Sequence, residues 1–204
     1  MNNLNSIVNL QGVLELLLAI SLSAAAGFRV FLPLFVLSVA AVYGHIDLPS
    51  DLDWVESSPA LVVFGVAALL EIGGYYLPWF DHFLDILSTP AAIIVGTALA
   101  ASVTPELNPV AQWTLALVAG GGTAGLTKGV MNLLRATSTA TSGGLTNPVL
   151  STLEWLLATG LSVLAIAAPL LAGILVISFG LFAIYKFWQF FRRSSPPPST
   201  QEPT

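Results

Sequence analysis

Long apolar runs separated by short polar clusters set the pattern of this chain, and the polar clusters mark where its elements begin. A capping side chain followed by Pro is a compact helix-start signal: the cap satisfies one orphan amide, and Pro at the first helical position removes another. Four such pairs occur, Ser58-Pro59, Thr89-Pro90, Asn108-Pro109 and Asn147-Pro148, each ahead of an apolar run. Together with the apolar stretches at either end they predict helical segments over 13–43, 59–77, 90–103, 109–136, 148–167 and 169–191. A helix needs ~20 residues to cross the hydrocarbon of a bilayer. The pattern therefore predicts an all-α, polytopic membrane helix bundle of about six segments.

Several lengths do not fit a straight span. Segment 13–43 is too long and contains Gly27, Arg29 and Pro33, which predicts a kinked or discontinuous helix whose freed backbone groups find partners inside the protein. Segment 109–136 carries Gly120, Gly121 and Gly122 in its middle and reads the same way. Segment 90–103 is short, which predicts a tilted or re-entrant element and leaves open whether it crosses fully. A single helix over 148–191 would be roughly 66 Å long at ~1.5 Å per residue, more than a bilayer holds. A tight hairpin is therefore expected around Ala167 to Pro169. Sliding the chain by 98 residues sets Ser23 and Gly27 on Gly121 and Gly125. The halves 10–103 and 109–191 would then form an inverted repeat of three plus three elements, an arrangement that many transporters use.

Composition strengthens the membrane reading, because 55% of residues are hydrophobic and 8% are charged, against roughly 25% charged in a soluble domain. Residues 1–193 read as one integral membrane domain, and 194–204, rich in Pro and Ser, as a disordered cytoplasmic tail. The apolar run from Val13 to Leu22 ahead of Ala24-Ala25-Ala26 has features of a signal peptide. No Lys or Arg precedes Arg29, however, and the run resumes at Val30, so the first segment is expected to stay.

A net charge of -5 without a basic stripe excludes nucleic acid as a partner. The absence of cysteine excludes disulfides, thiolate metal sites and a cysteine nucleophile. On a six-span count Arg135, Lys186, Arg192 and Arg193 fall on one side, while the 44–58 loop carries Asp47, Asp51, Asp53 and Glu56. The positive-inside rule then places both termini in the cytoplasm.

Candidate chemistry is sparse. Gly121, Gly125 and Gly129, like Ala19, Ser23 and Gly27, repeat every four residues. Such stripes let helices approach closely, and packing is the preferred reading over a pore or cleft. Gly122 to Lys128 lacks the spacing of a phosphate-binding loop. Arg29, Glu71, Lys128 and Glu154 lie inside apolar segments, where a charge costs roughly 2.5–3.5 kcal/mol and survives by facing protein, water or a partner. They are read either as an intramembrane polar site for an ion or small solute, or as structural ion pairs with Lys128 snorkelling. Asp81, His82 and Asp85 are weak metal candidates, too few for a full ligand set. The preferred reading of 78–89 is an amphipathic interfacial helix. His45 stands alone in the acidic loop, and no metalloprotease, nucleophile-elbow or dinucleotide signature is present. No catalytic residue and no cofactor is therefore assigned, and an enzyme is the less expected class.

The run from Ser21 to Leu34, the spaced set Glu71, Pro78, Asp81, His82, Asp85 and Pro90, and the run from Asn147 to Ser151 followed by Glu154 resemble a bacterial integral-membrane family catalogued as domain of unknown function 4126. The likeness covers about residues 10 to 170, and its first run is the most specific part. It implies a multi-pass protein of the inner membrane and supplies no activity, substrate or catalytic residues. The aromatic, basic end of the last segment and the Pro-rich tail depart from it. Expected partners are the lipid bilayer and a second copy or another membrane protein. Three readings remain: a small transporter or channel-like protein, an assembly factor docking through glycine faces, and an intramembrane or lipid-handling enzyme.

Overall fold

The structure is a computed structural model that describes residues 10–44, 48, 50–76, 78–104 and 107–193. The acidic-loop residues His45 and Asp47 and the 194–204 tail lie outside the described residues. Regular structure among the described residues is helical throughout. The helices are α1 (Leu10–Phe28), α2 (Phe31–Gly44), a 3-10 turn (Ser50–Glu56), α3 (Ser58–Gly74), α4 (Pro78–Ser102), α5 (Pro109–Leu115), a π turn (Ala116–Gly121), α6 (Gly122–Ser142), α7 (Asn147–Ala167) and α8 (Pro169–Arg193). Among the described residues four stretches are long and apolar enough to cross a membrane: Leu10–Phe28, Phe83–Ser102, Asn147–Ala167 and Pro169–Gln189. Phe31–Gly44 and Ser58–Gly74 are shorter apolar helices.

Helix α1 lies at the centre and packs against α4, α6, α7 and α8. Its second half can be surrounded because, Leu22 apart, its buried side chains are small: Ser21, Ser23, Ala24, Ala25, Ala26 and Gly27. The Ser23 hydroxyl donates to Gly96 O on α4 at 2.9 Å as well as to Ala19 O in its own helix.

The first long segment is discontinuous, as its sequence predicts, and Pro33 accounts for where it breaks. A proline ring collides with the carbonyl four residues back and offers no N–H to it, and four back from Pro33 is Arg29. The last bond of α1 runs from Arg29 N to Ala25 O at 3.1 Å, and α2 restarts at Phe31. Pro33 then sits in the first turn of the new helix, where no intrahelical partner is needed.

Three of the four predicted starts differ in detail. The α3 cap is Ser57, not Ser58, its hydroxyl accepting from Ala60 N at 3.2 Å. Thr89-Pro90 starts nothing: α4 runs unbroken for 25 residues with Pro90 inside it. The hydroxyls of Ser88 and Thr89 turn inward onto Asp85 O, at 3.3 and 3.0 Å, so they serve the helix interior instead of capping. The short 90–103 element and the separate interfacial helix over 78–89 are therefore one helix long enough to cross. Asn147 does not cap α7 either, since its Oδ1 accepts from Ser138 at 2.8 Å across the turn. Only Asn108 behaves as expected, accepting from Ala111 N at 3.0 Å.

The predicted 109–136 segment extends to Ser142, where Gly143 leaves the helix at a φ of 63°. Its glycine interruption is a π turn rather than a break. Closeness to α4 explains the glycines: a Cβ on Gly120 would overlap Gly96 O, and one on Gly121 would lie 2.5 Å from the Thr97 hydroxyl. At Ala167 to Pro169 the chain leaves helical geometry at Ala168 alone, with φ -149° and ψ 71°. The offset of 98 residues would map Arg29 onto Thr127, but α6 is continuous there and the second interruption lies earlier, at Ala116–Gly121.

Candidate functional site

Every charged residue singled out inside the apolar segments converges on one region around the α1–α2 break. Glu71, near the end of α3, turns its carboxylate onto the restarting helix: Oε1 accepts from Val30 N at 2.8 Å and Oε2 from Phe31 N at 3.0 Å. These are amides that a helix start leaves without intrahelical partners. An acidic side chain at a helix N-terminus also meets the positive end of its dipole. Glu71 thus acts as a long-range cap for α2, 40 residues away along the chain.

Arg29, in the break itself, points the other way along the bundle. Its Nη2 lies 3.1 Å from Glu154 Oε2 and donates to Ser151 O at 3.1 Å, both on α7. Its guanidinium carbon stands 3.7 Å from the centre of the Tyr75 ring, a cation–π contact. Glu154 is shared. Arg135, on α6, donates through Nε to Glu154 Oε1 at 2.9 Å and through Nη2 to Oε2 at 2.5 Å, and through Nη2 to the Ser151 hydroxyl at 2.9 Å. The two-point geometry is the strong form of an arginine–carboxylate pair.

A second group joins the first through Tyr75 and Asp85. Lys128 Nζ lies 3.1 Å from Asp85 Oδ1 and 3.3 Å from the Tyr75 hydroxyl, and that hydroxyl donates to Asp85 Oδ1 at 3.1 Å. Ser88 Oγ is 3.2 Å from the same hydroxyl, and Arg135 Nε approaches Asp85 Oδ2 at 3.9 Å. The Tyr75 ring is the hub, with Arg135 at 4.7 Å and Lys128 at 5.7 Å from its centre in addition to Arg29.

The cluster is dry apart from one corner. Arg29, Lys128 and Glu154 are at most 1% exposed, whereas the Asp85 side chain is 20% exposed. Five of the six carboxylate oxygens are engaged, those of Glu71 by amides, those of Glu154 by arginines and Asp85 Oδ1 by Lys128 and Tyr75, while Asp85 Oδ2 has Arg135 Nε at 3.9 Å. The donors are not. Among the described residues Arg29 Nε and Nη1 are buried without a hydrogen-bond partner. A guanidinium carries five N–H donors, so three of the five on Arg29 are unmatched.

The structure thus gathers Arg29, Glu71, Lys128 and Glu154, joins to them Asp85, which the sequence offered as a metal candidate, and adds Tyr75, Arg135 and Ser151. Helical spacing could have found the additions: Lys128, Asn132 and Arg135 share one face of α6, Glu71 and Tyr75 are four apart, and Ser151 and Glu154 three apart. Arg135 faces this cluster and not a loop; of the basic residues used to orient the chain, Lys186 and Arg192 are exposed on the last turns of α8, and the Arg193 side chain lies outside the described residues. Asp85 belongs to the ion network, while the side chains of Asp81 and His82 lie outside the described residues. Among the described residues no group of His, Asp or Glu could hold a metal ion.

The small-residue stripes face their own neighbours. A Cβ on Gly27 would lie 2.5 Å from Ala124 O on α6, Gly121 and Gly125 face Ile93 on α4, and Gly129 has nothing within 4 Å.

The family model described as Domain of unknown function (DUF4126) matches residues 16–189. That match includes most of α8, beyond the limit near residue 170 that the sequence motifs suggested. Neither the curated proteins nor the solved structures contain a match to this chain.

Proposed function

We propose a transport role for this chain, which belongs to the family described as Domain of unknown function (DUF4126): a small transporter or channel-like protein that handles an ion or polar solute at the α1–α2 break. The carrying observation is the unmatched Arg29. A purely structural tie would satisfy its members, because each buried donor left without a partner costs ~1–3 kcal/mol. Here three donors are unmatched beside a helix break, and a conformation that brought water or a solute to Arg29 would recover that cost. Discontinuous helices around a polar site are how many transporters build such a centre.

The membrane is read as the bacterial plasma membrane. The exposed basic end of α8 supports cytoplasmic termini by the positive-inside rule. Purified protein in liposomes is expected to pass a small ion or solute, with flux reduced by Arg29→Ala and by Glu71→Gln. Vesicles that pass nothing across a broad panel of ions and solutes would refute the transport role. Docking of other membrane proteins through glycine faces has less support, since Gly27, Gly96, Gly120 and Gly121 are filled by contacts within the chain.

A further inference from the structure

The cluster is short of acceptors, not of donors, and this imbalance bears on what it would bind. Five of its six carboxylate oxygens accept a hydrogen bond or a close ion pair and the sixth, Asp85 Oδ2, has Arg135 Nε at 3.9 Å, whereas among the described residues Arg29 holds three N–H groups with no acceptor. A cation at Glu154 or at Asp85 Oδ1 would have to displace an arginine or Lys128, and one at Glu71 the two backbone amides. An acceptor ligand on Arg29 Nε or Nη1 would displace no hydrogen bond. From this we infer that the site takes a small anion, an oxyanion or carboxylate, on the open donors of Arg29; the inference rests on the transport reading and names its substrate class.

The geometry of the guanidinium limits how the anion is held. Nη2 is committed to Glu154 and Ser151. In an arginine Nε and Nη1 lie on different edges of the planar group, so the two cannot grip one carboxylate side by side. The anion is therefore held by single contacts, without the bidentate fork, which favours modest affinity and release. Asp85 is the most exposed charged member of the cluster, and Lys128 and Tyr75 shield its Oδ1. One further orphan atom lies on that side: Asn132 Oδ1 is buried and unpartnered while its Nδ2 donates to Thr89 Oγ1 at 3.3 Å. Being neutral, it offsets the Arg29 charge little.

The test uses the full chain in mild, uncharged detergent at constant ionic strength. The probes are sodium acetate, nitrate and inorganic phosphate, against ammonium and methylammonium as cation controls. At ~100-fold excess over Kd a ligand specific to the native state should raise Tm by about 5–10 °C. The expected result is a rise with at least one anion and none with the cations. Arg29→Lys, which keeps a positive charge for Glu154 but has no Nε or Nη1 donor, should fold and lose the anion response. Mixed micelles with phosphatidylglycerol form a separate arm: a rise there, absent with soluble anions, assigns the same acceptor chemistry to a lipid headgroup. Stabilisation by anions in vesicles that show no flux would uphold this inference and defeat the transport role. Flux of a cation, with no anion-induced rise and no change in Arg29→Lys, would uphold transport and overturn the anion assignment. An anion response that survives intact in Arg29→Lys would also overturn it.

Discussion

Replacing Glu71 by Gln tests the central structural claim, that a side chain of α3 holds the start of α2. The change keeps the shape and removes the charge together with one acceptor. In the native protein two backbone amides, Val30 and Phe31, each donate to one oxygen of a carboxylate that is 6% exposed. Hydrogen bonds to a charged group contribute ~1.5–3 kcal/mol and neutral ones ~0.5–1.5. With Gln, one amide keeps a weaker bond and the other faces an NH2 group, a donor against a donor. The gross loss is therefore ~2–4 kcal/mol. Relief from burying a carboxylate works the other way, and about 2 kcal/mol of net destabilisation is expected. That corresponds to a Tm lower by ~4–8 °C at this chain length. Hydrogen exchange reads the same event locally: 2 kcal/mol is roughly 30-fold, so the Val30 and Phe31 amides should exchange about that much faster while amides in the middle of α1 change little. An unchanged Tm together with unchanged exchange at these two amides would refute the capping role.

Glu154→Gln should destabilise more, by ~3–5 kcal/mol, because it strips the buried counter-charge from Arg29 and Arg135 together; a thermal melt no worse than that of Glu71→Gln would contradict the shared-carboxylate geometry. Tyr75→Phe removes the hydroxyl seen by Asp85, Ser88 and Lys128 but keeps the ring under Arg29, so a loss of ~1–2 kcal/mol is expected, and Tyr75→Leu should lose clearly more. Gly120→Ala should cost ~1–3 kcal/mol because its Cβ would overlap Gly96 O, whereas Gly129→Ala, with nothing within 4 Å, should be neutral or stabilise by up to ~1 kcal/mol. Equal melting temperatures for these two alanine variants would count against the close approach of α4 to the π turn.

Much of the cluster was legible in the chain because charge in an apolar segment is costly wherever that segment lies, so Arg29, Glu71, Lys128 and Glu154 identified themselves. Arg135 did not, because the predicted segment ended at 136 and made it look like a residue flanking a loop; α6 runs on to Ser142 and keeps it among the buried groups. Asp85 was singled out as a weak metal candidate, but Thr89-Pro90, which reads as a helix start until the hydroxyls are seen bonding Asp85 O, kept it apart from the buried charges it joins. Tyr75 carries no charge and gave no signal by composition.

Apolar content, run lengths and the proline at position 33 by themselves determined a helical membrane bundle with a discontinuous first segment, since hydrophobic transfer and the geometry of proline act on local sequence. Which donor meets which acceptor was decided by tertiary structure alone. Glu71 serves amides 40 residues away, Arg29 reaches a carbonyl 122 residues away, and Arg135 and Arg29 share one glutamate. Hydrogen bonds are short-ranged and directional, so a sequence states that a buried charge needs a partner, and only the packing of α1, α3, α4, α6 and α7 brings that partner within about 3 Å.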